Sequence, residues 1–328
     1  MAQLSENLLP AKLVLENLVE DKYVEEKYVL GIDGGGTKTL TRLVNLKTQQ
    51  SWQAQGGSSS LTNDFNGAIA TIAGLCRQVV KQAHASENKS SDDECDYQHI
   101  SAVFGLAGAG NDKRVQQLIE TLAMPFAQLS ICSDARTSAY GANNGEAVAV
   151  VALGTGSVGM RLDGQGNSFL TGGWGFIAGD EGGGAKLGLA AVKITLTEFE
   201  CHFERNKTHQ CELASQIMQF IGATRPEMLT WLSTAKPCDY AKFSPLVFAL
   251  ALICPVARKL LAEHIQAVEY LIDLTLANTQ LPLVLLGGLA EVTKACLSTK
   301  YQQQLIAAKG DALDGACFLA QQFYITQS

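Results

Sequence analysis

The sequence predicts an α/β chain of two lobes, each a mixed β-sheet flanked by helices. Three observations carry this reading. An apolar strand that enters a glycine-rich turn and leaves as a second strand occurs twice, as YVLGIDGGGTKT at residues 28–39 and as AVAVVALGTGSVG at residues 147–159. Between and beyond these stretches, apolar residues recur at spacings of three and four, the period of helices with one buried face. The chain has 328 residues, of which 47% are apolar, enough to fill two cores of ordinary size.

Composition narrows the class of partner. The formal net charge is −7. The basic residues form no stripe interleaved with aromatics, so neither nucleic acid nor an anionic membrane surface is expected as a partner. The longest uncharged run, residues 274–290, is shorter than the roughly 20 residues a bilayer span needs, and Asn278, Gln280 and Pro282 interrupt it. The start of the chain carries Glu6 and no basic cluster ahead of an apolar core, so no signal peptide is expected and the expected location is cytoplasmic. Nine cysteines form no C-x-x-C pair and are expected to be reduced thiols, and the five histidines make no ligand-like pair on one helical face, so no structural metal is implied.

In chain order, residues 1–26 are an extension, either an amphipathic helix or a frayed end, without readable chemistry. The first lobe spans residues 27–144. Tyr28, Val29, Leu30 and Ile32 are strand formers, and Gly34, Gly35 and Gly36 allow a tight turn whose N–H groups can receive anionic oxygen. Asp33 stands at the strand end beside this nest. A carboxylate beside a phosphate cradle is repulsive unless a divalent cation lies between them, so the pair suggests a metal–nucleotide site, with a plain hairpin turn as the alternative.

Residues 40–46 and 51–55 continue as strands of a meander. The loop GGSSSLTNDF then offers the donors and acceptors of Ser60, Thr62, Asn63 and Asp64, suited to a polyol or simply to turning the chain. A helix follows over residues 67–85, then a polar stretch, 85–98, expected as an exposed loop. Residues 99–104 form a buried strand. GLAGAGN makes a second glycine turn, where Gly108 and its small neighbours would let a ligand approach the backbone. A helix over 112–122 and a strand over 128–132 lead to Ser133 and Asp134 at the start of a helix over 136–143. Asp134 occupies the position of an N-cap, and it lies at a carboxyl strand edge, where open α/β sheets bind ligands.

The second lobe is expected over residues 145–328, with a last helix over 311–322. GTGSVG matches the dinucleotide fingerprint, but a strand and turn follow it where that fingerprint requires a helix, so the Rossmann reading fails. The first motif likewise misses a Walker A loop, because Thr37 follows Gly36 where lysine would stand. Helices are expected over 185–204, 212–221, 225–234 and 243–279, the last interrupted at Pro255, with an inner strand over 281–286.

Two strand-turn-strand phosphate nests, each heading one half, resemble the actin-like (ribonuclease H-like) ATPase superfamily of actin, hexokinases and heat-shock chaperones. GIDGGGTKT is similar to its first phosphate motif, ALGTGSVG to its second and LVLLGGLAE, residues 283–291, to its adenosine motif. TGGWGFIAGDEGGGAKLG, residues 171–188, is close to the signature of the N-acetylglucosamine kinases of the BadF/BadG/BcrA/BcrD ATPase type, and GLAGAG and CSDARTSAYGA fit the same family. The resemblance runs from Tyr28 almost to the C-terminus, with the motifs in the family's order.

That resemblance implies two lobes with a central cleft, the last helix returning to the first lobe, and ATP with Mg²⁺ as cofactors. It implies an amino sugar as the substrate, phosphorylated at O6. Asp134 would be the general base and a sugar contact, and Asp33 would hold the metal through water. Gly34, Gly35, Gly36, Thr37 and Lys38, with Gly154, Thr155, Gly156 and Ser157, would hold the phosphates, and Gly287 and Gly288 would lie against adenosine. Asn63, Gly108, Gly173, Trp174, Gly175 and Asp180 would contact the sugar. Trp174 has the alternative of a core anchor, and Asp180 that of a solvated charge beside Glu181. GGWGFIAGDEG favours N-acetylglucosamine as acceptor, while residues 230–245 resemble glucosamine kinases. An iron–sulfur ATPase activator and a non-catalytic sugar sensor are the remaining alternatives, the first disfavoured because residues 171–188 contain no cysteine. A homodimer through the second lobe is compatible with the family.

Overall fold

The computed structural model describes residues 28–62, 64–87, 97–205 and 211–325. The extension 1–26, Asn63 and most of the polar stretch 85–98 lie outside the described residues. The chain divides into two compact units. The first comprises residues 1–148, 162–168 and 307–328, and the second residues 149–161 and 169–306.

The first unit is built on a mixed five-stranded sheet. Its strands are β1 (Tyr28–Gly34), β2 (Thr39–Asn45), β3 (Ser51–Gly56), β4 (Ile100–Leu106) and β5 (Gln128–Cys132), in the order β3-β2-β1-β4-β5. β1, β2 and β3 form an antiparallel meander, while β1–β4 and β4–β5 are parallel. Parallel pairing needs crossover helices. These are α1 (Phe65–Ser86), between β3 and β4, and α2 (Asp112–Leu122), between β4 and β5.

Asp64 caps α1 by accepting from the Gly67 N–H, and Asn111 caps α2 by accepting from the Arg114 N–H. One face of α1 buries Ala68, Ile72, Leu75, Cys76 and Val79 against the sheet, where Leu30, Ile32, Phe104 and Leu106 are fully covered. Each such large side chain contributes roughly 1.5–3 kcal/mol. α3 (Asp134–Ala142) follows β5, and the C-terminal helix α12 (Ala312–Ile325) lies in this unit, packed on β1, β4 and α3. Helices on both faces explain why β4 is buried along its whole length.

The second unit is centred on a four-stranded sheet of β6 (Val148–Leu153), β7 (Ser157–Leu162), β8 (Ser168–Gly172) and β9 (Leu283–Leu286), ordered β8-β7-β6-β9, with β6 and β9 parallel. Its helices are α4 (Gly184–Arg205), α5 (Glu212–Ile221), α6 (Arg225–Thr234), α7 (Pro237–Ala241), α8 (Ser244–Leu250), α9 (Pro255–Leu276), α10 (Ala290–Lys294) and α11 (Thr299–Gln302). Pro255 opens α9 at its first position, where proline's missing N–H costs nothing. His264 on α9 is buried against the Phe248 ring, and burial pulls its pKa down to about 4, the state of a neutral core histidine. Among the described residues no single helix is long and apolar enough to cross a membrane.

Candidate functional site

In the first unit the residues of interest gather at the carboxyl ends of β1, β4 and β5. The register β1–β4 sets Asp33 opposite Gly105, and Gly105 faces Cys132 on β5, two residues before Asp134. Gly34 can only be glycine here, since a Cβ would stand 2.1 Å from the Ser59 hydroxyl and 2.5 Å from Leu106. Beyond it the turn is closed by a bond from the Gly35 N–H to the Lys38 carbonyl, and Gly36, Thr37 and Lys38 are exposed.

The segment 57–62 is stitched onto this turn. The Ser59 N–H donates to the Gly35 carbonyl, and the Thr39 hydroxyl donates to the Gly57 carbonyl at 2.6 Å and pairs with the Ser59 hydroxyl at 2.8 Å. It is also fixed to the second glycine turn. The Leu61 N–H donates to the Ala107 carbonyl, Arg114 donates to the Leu61 carbonyl, and Gly108, at φ +88°, lies against Thr62. A side chain at Gly108 would meet strain from its left-handed backbone as well as contact with Thr62. Ser59 and Thr39 were not singled out from sequence. Their pattern is that of any buried Ser/Thr pair, and only the Gly34 contact reveals their role.

Asp134 differs in one respect from the sequence expectation. The N-cap of α3 is Ser133, whose hydroxyl accepts from the Arg136 N–H at 3.3 Å, so Asp134 is the first helical residue. The strand ends at Cys132, which leaves Ser133 in the extended conformation that a cap requires. Asp134 is thus freed from capping the third residue of the turn, and its carboxylate accepts from the adjacent Ala135 N–H at 2.9 Å.

Burial pushes the Asp134 pKa above the ordinary carboxylate range, opposed by backbone N–H donors at Ala135 and at Asp134 itself. Burial likewise pushes Asp33 up to about 6, reinforced by the charges of Asp134 and Asp311 and opposed by Lys38. Asp311, at the start of α12, is a carboxylate neighbour that sequence reasoning did not find, because 178 positions of chain lie between β5 and it. Asp134 and Asp311 are hard oxygen donors set close enough to Asp33 to raise its cost of ionisation, which a divalent cation would relieve. Among the described residues no three His, Cys, Asp or Glu side chains are arranged as a complete metal cage. Mg²⁺ suits such a set, since it commonly takes one or two carboxylates and fills its remaining positions with water and phosphate oxygens.

In the second unit three motifs converge. The turn 154–156 is closed by the Gly154 N–H donating to the Gly156 carbonyl, and it is tied to α4 by bonds from the Gly184 N–H to Gly154 and from the Ala185 N–H to Thr155. Thr155 is exposed and Ser157 buried. Asp180 lies directly over this turn, for a Cβ on Gly156 would come within 2.4 Å of its carboxylate. The Asp180 carboxylate faces the N–H groups of Gly175 and Ser157; burial nevertheless raises its pKa above the ordinary range. It is therefore a half-buried charge rather than a fully solvated one. It fastens the 171–183 loop to the phosphate-type turn, at the cost of a left-handed backbone, φ +67°.

Within that loop Gly173 and Gly175 have φ of +71° and +84°. Trp174 is 79% exposed, which excludes the core-anchor reading, and Ile177 is 96% exposed. Gly287, at φ +92°, is pressed against the end of β6, where a Cβ would stand 2.4 Å from the Leu153 carbonyl, while Gly288 has open space on its Cβ side. The Leu289 N–H donates to the same Leu153 carbonyl, so the turn after β9 abuts the turn after β6. A cavity of about 320 Å³ lined by Phe220, Trp231, Phe243 and Leu246 lies among the helices and shares no residue with these motifs.

The sequence profile of the BadF/BadG/BcrA/BcrD ATPase family matches residues 30–318. A glucosamine kinase of Vibrio cholerae is 30% identical over 296 residues, 89% of this chain and 95% of the relative. An N-acetylmuramic acid/N-acetylglucosamine kinase of Clostridium acetobutylicum is 25% identical over 319 residues, covering 90% of this chain and 98% of the relative. Among solved structures, a Chromobacterium violaceum protein provisionally named N-acetylglucosamine kinase superposes with a TM-score of 0.77 at 30% identity, covering 90% of this chain and 99% of that one.

Proposed function

Because the chain belongs to the BadF/BadG/BcrA/BcrD ATPase family, we propose that it is an ATP-dependent kinase of an amino sugar, with N-acetylglucosamine as the acceptor and its O6 hydroxyl as the attacking group. The observation that carries the reading is Asp134, a half-buried carboxylate with a raised pKa at the carboxyl edge of the sheet, beside Asp33 at the Gly34–Gly36 turn. Such a group can take the proton of a sugar hydroxyl as that oxygen attacks the γ-phosphoryl group of ATP. Phosphoryl transfer asks little covalent chemistry of a protein, so the remaining residues act by position and charge.

Gly34, Gly35, Gly36, Thr37 and Lys38 in the first unit, and Gly154, Thr155, Gly156 and Ser157 in the second, are assigned to the phosphates through backbone N–H groups, hydroxyls and one ammonium. Gly287 and Gly288 are assigned to adenosine, where Gly288 leaves room for a flat ring. Asp33 would hold Mg²⁺ through water. When bound, that ion would supply charge neutralisation for the phosphate oxygens. Gly108, Gly173, Trp174, Gly175 and Asp180 are assigned to the sugar together with Asn63, with the exposed Trp174 offering an apolar face to the ring. We place the enzyme in the cytoplasm, without nucleic acid or membrane as a partner.

Glucosamine is the second acceptor to consider, and the Vibrio cholerae glucosamine kinase, 30% identical over nearly the whole chain, favours it. ADP release with Mg-ATP, compared across N-acetylglucosamine, glucosamine, N-acetylmannosamine and glucose by kcat/KM, separates the two. The expected result is at least a tenfold preference for N-acetylglucosamine, a difference of about 1.4 kcal/mol in transition-state binding. A preference for glucosamine would reassign the acceptor, and silence on all four sugars would overturn the kinase reading.

A further inference from the structure

The loop 171–183 carries three large apolar side chains, and one of them turns inward. Trp174 and Ile177 are 79% and 96% exposed, whereas Phe176 is half-buried and packs on the helical core of the second unit. Its ring stacks on that of Tyr240 in α7, with centroids 5.7 Å apart and planes inclined by 26°. The Lys186 ammonium, paired with Glu181 at 3.3 Å, lies 5.8 Å from the centre of the same Phe176 ring. In both geometries an aromatic ring attracts its neighbour beyond simple apolar contact.

Tyr240 is held in turn. It is buried, the Trp231 ring meets it edge-on at 5.1 Å and 81°, and Gly188 on α4 admits its backbone, since a Cβ there would stand 1.8 Å from the Tyr240 carbonyl. The two stretches singled out in the sequence, 171–188 and 230–245, therefore meet at this stack. On the loop side the Gly179 N–H donates to the Gly175 carbonyl at 2.8 Å and closes a turn over residues 175–179. A Cβ on Gly179 would stand 3.0 Å from the Cβ of Trp174, so Trp174 leans on this turn, whose inward side chain is Phe176. The far end of the loop is fastened separately, by the bonds from the Gly184 and Ala185 N–H groups to the 154–156 turn.

We propose that Phe176 and Tyr240 are positioning residues for the acceptor: their stack fixes the turn 175–179 and, through it, the Trp174 ring against which the sugar lies. The inference rests on the amino-sugar kinase reading, in which Trp174 offers its face to the sugar. A side chain that must be immobilised on binding costs affinity, so a loop fixed beforehand binds its ligand more tightly. Release of the stack frees the Trp174 end of the loop and leaves the 154–156 turn with its own bonds. The effect therefore belongs to sugar binding, and neither to ATP binding nor to proton transfer at Asp134. The stack uses ring faces, so a flat ring is required at 176, and either phenylalanine or tyrosine serves at 240.

The test compares the full-length protein with Phe176→Leu, which keeps an apolar side chain and removes the flat ring, and with Tyr240→Phe, which keeps the stack. Hydrogen exchange read by mass spectrometry on protein without ligands reports on the loop itself. The expected result is exchange over residues 175–183 at least about tenfold faster in Phe176→Leu, with α5 and α9 exchanging as in the wild type. With Mg-ATP, the KM for the preferred sugar should rise at least about tenfold in Phe176→Leu, while kcat and the KM for ATP stay within about threefold of wild type. Tyr240→Phe should match the wild type in both measurements. Unchanged loop exchange in Phe176→Leu would overturn the proposal, as would a faster loop with an unchanged sugar KM. KM values for sugar and ATP that rise together would also overturn it, since they mark a merely structural role. Wild-type protein silent on all four sugars would overturn the kinase reading instead, and the exchange rates would still decide whether the stack holds the loop.

Discussion

Asp134 combines two opposing influences, and their balance sets what it can do. The first turn of a helix favours a negative charge, and the Ala135 N–H bonds the carboxylate directly. Burial disfavours that charge more strongly, so the group ionises above the ordinary carboxylate range. A general base must be unprotonated to act, so kcat/KM should fall as pH drops through this raised pKa, with the acid limb above the usual carboxylate value of 3.8. Asp134→Asn keeps the shape and removes the base. The expected result is a fall in kcat of about 10²–10⁴-fold, with sugar affinity by calorimetry changed no more than a few-fold and the acid limb lost. A variant with kcat within a factor of about three of wild type would remove Asp134 from the chemistry.

The helix that carries Asp134 is held by glycine. Where α3 meets α12, a Cβ on Gly141 would come within 1.8 Å of the Asp311 carbonyl, and one on Gly315 within 1.9 Å of the Thr137 carbonyl. A Cβ on Gly105 of β4 would likewise strike the Thr137 hydroxyl at 2.3 Å. α12 is fixed in turn by reciprocal bonds between Asp311 and Asp314 and by the Arg42–Asp314 ion pair to β2. Gly315→Ala should therefore separate the two helices, with an overpacking cost of about 1–3 kcal/mol and a thermal midpoint lowered by several degrees. Calorimetry checks this, and an unchanged midpoint would mean that the contact closes without strain. Sequence periodicity could reveal α3 and α12 as helices, but not this crossing, because Gly141 and Gly315 read alone as weak helix formers. By contrast the turns at Gly34–Gly36 and 154–156 were legible, since strand, glycines and strand in one short window leave few alternatives. The Asp180–Gly156 contact was not legible, for it depends on a return of the chain that spacing does not encode.

At the scale of the whole molecule, the chain path makes the C-terminus part of the first unit's foundation. Residues 307–328 belong to that unit although more than a hundred residues of the second unit precede them directly. α12 buries Leu313, Ala316, Leu319 and Ala320, and its Cys317 sits so near β1 that a Cβ on Gly31 would meet its sulfur at 2.7 Å. Without α12, one face of β1 and β4 would be left open, strands whose apolar composition has no polar alternation to tolerate water. A chain ended after Ile306 is therefore expected to lose cooperative unfolding of the first unit. The second unit, whose two apolar clusters lie wholly within residues 149–305, should keep its own transition. Circular-dichroism melts with limited proteolysis distinguish the outcomes. Preferential cleavage within residues 28–142 of the shortened chain is the expected pattern, whereas a melt within a few degrees of the full chain would show that the sheet and α1 suffice.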